Sequence, residues 1–319
     1  MLIDIIYILL GFVLLVKGGD WLVDGAVSIA HRAKLSAMVI GITVMGFGTS
    51  APELFVSLQA ALAHSPGLCI GNVVGSNIAN IALILGVTAL ICPCKTAPFT
   101  LRVDVPVMIL SCVLLVAVGM TGTIGRLAGA IAILFLAAFT TWEIRRSRQQ
   151  NKDNPDQPDL MKEMALWKAI GLVLIALILL IAGANVLVRG ASDIAKIIGE
   201  AAGAQPADIE RIIGLTVVAV GTSLPELFAS IMAARKGEQD MAVGNIVGSV
   251  TFNILFVVGL PALICPITGA DRGFLPDYIL MTVLAVMLWV FMRTRLTLER
   301  WEGGVFLLVY AGYIMYTLV

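Results

Sequence analysis

The chain has 319 residues, of which 59% are apolar and only 13% charged, and its mean hydropathy is +0.99. That composition excludes a soluble globular domain and defines a polytopic membrane protein. The 21 basic and 21 acidic residues cancel, so no net charge draws the chain to nucleic acid, and five scattered cysteines are too few for a disulfide framework.

The first apolar run begins at Leu2, beside Asp4 and without a basic leader, so this helix is expected to be retained rather than cleaved. Ten runs are long enough to span about 30 Å of hydrocarbon. They fall near 2–30, 35–62, 68–91, 103–119, 124–143, 165–192, 209–234, 240–264, 275–292 and 301–318. The first is polar on one side of its second half (Lys17, Asp20, Asp24), which predicts a tilted or inward-facing helix. Cys92-Pro93-Cys94 has the form of a redox or metal pair, but cysteine in an apolar segment serves as a small hydrophobe.

One clearly polar linker, Arg145 to Glu163, divides the chain into a first five-helix repeat (1–144) and a second (164–319). Roughly half the residues of 41–93 are identical to those of 214–266 at a fixed offset, the mark of an internal duplication. Five is odd, so the second copy enters the membrane from the opposite side and the repeats are inverted. The predicted fold is therefore all-α, with ten transmembrane helices as two inverted five-helix repeats. With the N-terminus outside, the inside loops hold fifteen Lys and Arg residues and the outside loops five. That bias predicts both termini outside and a cytoplasmic linker.

Gly48-Thr49-Ser50-Ala51-Pro52-Glu53-Leu54-Phe55 recurs 173 residues later as Gly221-Thr222-Ser223-Leu224-Pro225-Glu226-Leu227-Phe228. An ionised group at mid-bilayer costs several kcal/mol, so a duplicated intramembrane glutamate is an ion-site hypothesis by default. On an α-helix, Thr49 and Ser50 lie four and three residues before Glu53, so both hydroxyls are expected to share a face with its carboxylate, as Thr222 and Ser223 do with Glu226. Oxygen-only donors suit hard cations, and no Cys or His sits nearby to suggest a transition metal. Pro52 and Pro225 cannot donate to the carbonyls of Gly48 and Gly221, which opens the preceding turn and frees backbone oxygens. A lone proline reads as a plain kink; paired prolines beside paired glutamates read as a site.

A second duplicated motif follows in each half, Gly71-Asn72-Val73-Val74-Gly75-Ser76 with Asn80, and Gly244-Asn245-Ile246-Val247-Gly248-Ser249 with Asn253. Asn72, Ser76 and Asn80 fall four apart in one polar stripe, as do Asn245, Ser249 and Asn253. The glycines are expected to let backbones approach closely, and interhelical hydrogen bonding competes with ion binding as the role of the stripe. Crossing the halves brings two carboxylates to one centre. Emptied of cations, they would repel by roughly 3 kcal/mol at about 5 Å and an effective dielectric near 20. That penalty is a physical basis for obligatory exchange.

These duplicated motifs resemble the α-repeats of the calcium/cation antiporter superfamily, most closely its sodium/calcium exchanger branch of prokaryotic type. The likeness is strongest over 40–94 and 213–267. It implies a secondary antiporter that exchanges Na⁺ for Ca²⁺ by alternating access, not an enzyme, with no cofactor and no protein partner beyond the lipid bilayer. It also implies that Glu53 and Glu226 are central Ca²⁺ ligands shared with Na⁺. Thr49 and Thr222 would supply carbonyls to Ca²⁺ and oxygens to flanking Na⁺ sites. Ser50, Ser223, Ser76 and Ser249 would supply hydroxyls there, Gly46 and Ala219 carbonyls, and Asn80 and Asn253 would complete the central polar site. Gly46 departs from the alanine of the family pattern. Asn253 stands where potassium-dependent exchangers carry Asp, which holds the site at −2 and implies independence from K⁺. Proton/calcium exchangers show a Gly-Asn-Ala-x-Glu type of motif, so the hydroxyls here favour Na⁺ over H⁺. A proton-coupled exchanger of Ca²⁺ or another divalent cation is the alternative, and a cation channel a more distant one. The short linker excludes the large cytosolic regulatory region of animal exchangers, and the low cysteine count suits a prokaryotic inner membrane.

Overall fold

The computed structural model describes residues 2–153, 164–201, 219–268 and 272–318. The later part of the expected linker, 154–163, and the start of the expected span 209–234 lie outside the described residues. The chain runs through helices α1 (Leu2–Ala33), α2 (Ala37–Thr49), α3 (Ala51–Leu62), α4 (Pro66–Ile91), α5 (Thr100–Gly119) and α6 (Arg126–Asp153). It continues through α7 (Leu166–Ala201), α8 (Ala219–Thr222), α9 (Leu224–Arg235), α10 (Gln239–Ile264), α11 (Leu275–Arg295) and α12 (Arg300–Leu318). Among the described residues seven helices are long and apolar enough to cross a membrane, or eight if α2 and α3, bent by 47° at Ser50, count as one span. Exposed Leu, Ile, Val and Phe cover the outer faces, as on α1 (Leu2, Ile3, Ile6, Leu9, Phe12). Such faces are stable only against lipid.

The long helices α1 and α7 lie antiparallel along their lengths, because small residues let their backbones touch. A Cβ on Gly11 would meet Gly183 O at 2.7 Å, one on Gly25 Ala169 O at 3.0 Å, and one on Gly190 Asp4 O at 2.5 Å. Two other crossings use glycine pairs at repeat-related positions: Gly86 of α4 against Gly303 of α12, and Gly259 of α10 against Gly129 of α6. Two short antiparallel pairings repeat the exchange, β1 (Cys94–Lys95) with β4 (Thr297–Leu298) and β2 (Thr123–Ile124) with β3 (Ile267–Thr268). Each pairs one half of the chain with the other.

Loop contacts sort into two ends. At one end, Ser36 N donates to Ser147 Oγ, Lys95 N to Gln239 Oε1 and Ala97 N to Asp240 Oδ1, and Lys236 pairs with Asp20 and Asp24 at 2.7 and 2.6 Å. At the other, Arg126 reaches Ile264 O, and Cys265 lies beside His64. The larger core cluster lies among α4, α5, α10, α11 and α12, and a second joins α1, α2, α7 and α9.

Candidate ion-binding site

The break between α2 and α3 falls where the sequence places Pro52. Ser50 leaves the helical region (φ −79°, ψ 6°), and its counterpart Ser223 does the same (φ −91°, ψ 2°) between α8 and α9. Each serine occupies a helix N-cap, yet neither side chain caps its helix; both hydroxyl oxygens are buried without a partner among the described residues. A capping serine normally spends its oxygen on the N2 or N3 amide. Here the oxygens remain available to something else.

Glu53 and Glu226 sit in the first turn of α3 and α9, both fully buried, and none of their four carboxylate oxygens has a hydrogen-bond partner among the described residues. Thr222 faces the Glu53 carboxylate, and Thr49 and Ser50 face that of Glu226. This corrects the expectation of a continuous helix face: the chain breaks at Ser50 and Ser223, and Thr49, Ser50 and Thr222 act on the carboxylate of the other repeat. Thr49 Oγ1 also donates to Met45 O (3.0 Å) and lies 3.4 Å from both Asn245 Oδ1 and Ser249 Oγ.

Close backbone packing sets this crossing. A Cβ on Gly41 would lie 2.6 Å from Met241 O, and one on Gly248 2.5 Å from Ile42 O, so α2 and α10 touch main chain to main chain. Gly71 and Gly75 meet no backbone this closely among the described residues; the stretch repeat-related to Gly41 and Ile42, at 214 and 215, lies outside them.

Asn80 and Asn253 occupy π-helical turns, Ala79–Ile84 within α4 and Asn253–Val257 within α10. A π-turn inserts one extra residue and re-aims a side chain, and such turns recur at functional sites. Helix α3, with Glu53, packs on the turn headed by Asn253, and α9, with Glu226, on the turn containing Asn80. Both asparagines are fully buried; among the described residues Asn80 has neither amide atom partnered, whereas Asn253 Nδ2 donates to Asn77 Oδ1 at 3.1 Å and its own Oδ1 meets no partner. Ser76 and Ser249 are buried on α4 and α10. The Gly46 carbonyl accepts from Ser50 N at 3.3 Å, with a second lone pair to spare. Ala219 opens α8, and its side chain lies outside the described residues.

Asn72 and Asn245, of the polar stripe, act as struts. Asn72 Nδ2 donates to Ser57 Oγ (2.9 Å) and Glu53 O (3.1 Å); Asn245 Nδ2 donates to Ser230 Oγ (2.9 Å) and Glu226 O (3.3 Å). Each strut ties a glutamate-bearing helix to the next. Sequence reasoning missed Ser57, Ser230 and Asn77. The two serines carried a signal, since each lies one turn after its glutamate at matching repeat positions. Among the described residues no group of three or more His, Cys, Asp or Glu is arranged to hold a metal ion, so the donors at this centre are carboxylate, hydroxyl, amide and carbonyl oxygens.

A lipid-faced helical bundle enclosing two unpaired carboxylates defines an integral membrane ion-transport protein. The chain belongs to the sodium/calcium exchanger family: the profile of the sodium/calcium exchanger protein matches residues 3–145 and 168–319. It is 32% identical to the sodium/calcium exchanger MaX1 of Methanosarcina acetivorans, over 98% of both chains. It is 36% identical to the inner membrane protein YrbG of Escherichia coli, over 90% of this chain and 88% of that one. A solved structure of the sodium-calcium exchanger NCX_Mj, soaked with zero Na⁺ and Ca²⁺, superposes with a TM-score of 0.82 at 29% identity and covers 99% of each chain.

Proposed function

We propose that the chain is a secondary antiporter exchanging Na⁺ for Ca²⁺ by alternating access, without K⁺. The carrying observation is that Glu53 and Glu226 act on each other while buried with all four oxygens unpartnered among the described residues, as are oxygens of Ser50, Ser223, Asn80 and Asn253. A buried polar group without a partner costs about 1–3 kcal/mol, and more when charged, so this cluster is stable only when cations take the missing contacts. The pair carries −2, which one Ca²⁺ or two Na⁺ neutralise. Thr49, Thr222, Ser76, Ser249 and the backbone of Gly46 and Ala219 complete the flanking Na⁺ positions. Asn253 in place of an acid keeps the charge at two, which supports Na⁺ without K⁺.

In this reading, ten helices cross the membrane as two inverted repeats, 1–144 and 164–319, joined by a cytoplasmic linker at 145–163, with both termini outside and the protein in a prokaryotic inner membrane. The antiparallel packing of α1 on α7, the exchanged glycine crossings and the two-ended sorting of the loops support that topology. Lys236, bridging to Asp20 and Asp24, joins α1 to the turn after α9 at the end where the positive charges gather.

Proteoliposomes test the function. Calcium uptake is expected when an outward Na⁺ gradient is imposed, with no requirement for K⁺ on either side. Uptake driven by a pH gradient with Na⁺ absent transfers the assignment to a proton-coupled exchanger, and calcium flux without any counter-ion transfers it to a channel.

A further inference from the structure

A second set of buried acids lies on a different pair of helices. Asp104, in the π-helical turn Thr100–Asp104 that opens α5, and Glu143, on α6, are only 1% and 2% exposed. The two carboxylates repel each other, and the neighbouring rings of Phe99 and Trp142, one residue before Thr100 and Glu143, lie 6.0 Å apart. Among the described residues, both oxygens of Asp104 and Oε1 of Glu143 are buried without a partner. Two hydroxyls add to this independently. Thr100 is fully buried one turn before Asp104, and Thr140 stands one turn before Glu143; among the described residues the buried Oγ1 of each has no partner. None of these residues belongs to the duplicated motifs.

Charge decides what the cluster holds. The Arg146 guanidinium acts on both carboxylates and is fixed over the Phe99 ring, 2.9 Å from its centroid. Two carboxylates and one guanidinium leave −1, which a single monovalent cation neutralises and a divalent one overshoots. Hydroxyl and carboxylate oxygens are hard donors, suited to an alkali ion rather than a soft metal.

We propose that Asp104, Glu143, Thr100 and Thr140 form a Na⁺ site separate from the Glu53 and Glu226 centre. The rival occupant is a proton shared between the two carboxyl groups. Replacing Glu143 with Gln leaves Asp104 balanced by Arg146 and removes the reason to bind a cation.

Thermal unfolding of the purified full chain in detergent tests the site, comparing NaCl with choline chloride at equal ionic strength in a Glu53→Gln/Glu226→Gln background that silences the centre. A ligand that binds only the folded state raises the melting temperature saturably. The expected result is a saturable Na⁺-specific rise that Glu143→Gln abolishes. Thr100→Val, which keeps every charge and the packing volume, raises the half-saturating Na⁺ concentration about tenfold, the equivalent of ~1.4 kcal/mol, and provides the reading if Glu143→Gln fails to fold. The proposal is overturned by the absence of a Na⁺-specific rise in the silenced background, by a rise that survives Glu143→Gln, by a Thr100→Val titration that matches its parent, or by a melting temperature that follows pH and ignores Na⁺.

Discussion

Asn253→Asp is the most informative single change at the centre. Asn253 Nδ2 donates to Asn77 Oδ1 at 3.1 Å. Ionised aspartate has no donor, so two acceptors face each other and a buried hydrogen bond is lost, at about 1–3 kcal/mol. The substitution also takes the charge of the centre from −2 to −3. At about 6 Å and an effective dielectric near 20, a new carboxylate is repelled by each glutamate by about 3 kcal/mol. The uncompensated cost is then roughly 7–9 kcal/mol, comparable to the whole stability of many domains. A monovalent cation bound alongside Ca²⁺ offsets most of it. The variant is therefore expected to need a second monovalent cation for Na⁺-driven calcium uptake, with at least about a tenfold difference between K⁺ and choline media. Wild-type rate and unchanged cation dependence would refute the charge argument.

Asn245→Leu removes the strut to Ser230 and to the Glu226 carbonyl; a loss of about 2–3 kcal/mol in thermal stability and a weakened apparent calcium affinity are expected, and wild-type values for both would show that the strut positions nothing. Gly248→Val drives a Cβ to within 2.5 Å of the Ile42 carbonyl, so the folded yield is expected to collapse, whereas Gly304→Val, where a Cβ meets nothing within 4 Å among the described residues, is tolerated; size-exclusion profiles of the two variants compare them. Cysteine labelling tests both reactivity and topology. Burial, with a smaller contribution from Cys92, pushes the Cys94 thiol up to about 12, so at pH 8 it carries roughly one thiolate in ten thousand and stays unlabelled. Among the half-buried thiols, a membrane-impermeant maleimide added to intact cells is expected to reach Cys265 and not Cys92; the reverse pattern inverts the proposed orientation.

Long membrane-capable helices were legible because a bilayer forces long apolar runs, and Glu53 and Glu226 were legible because they stand out against them. The serine conformations were half legible: Pro52 and Pro225 announced a break, but which carboxylate each hydroxyl faces depends on how helices far apart in sequence cross. Local spacing therefore assigned Thr49 and Ser50 to Glu53 when the fold turns them to Glu226. The polar stripe was legible as a face, since Thr49 Oγ1 lies 3.4 Å from both Asn245 and Ser249. Which role each residue takes was not: the amides of Asn72 and Asn245 are spent on serines 15 residues away, and the π-turns at Asn80 and Asn253 re-aim only the last residue of each stripe. Asn77 carried no repeat signal at all, since Val250 stands at its counterpart.

The central claim is that Glu53 and Glu226 are two halves of one site. Equilibrium binding of radioactive calcium to purified Glu53→Gln and Glu226→Gln variants, each verified as folded, tests it most directly. One shared site predicts that either single substitution abolishes saturable binding. A variant that keeps a saturable calcium site of near wild-type affinity would contradict it and make the two carboxylates independent.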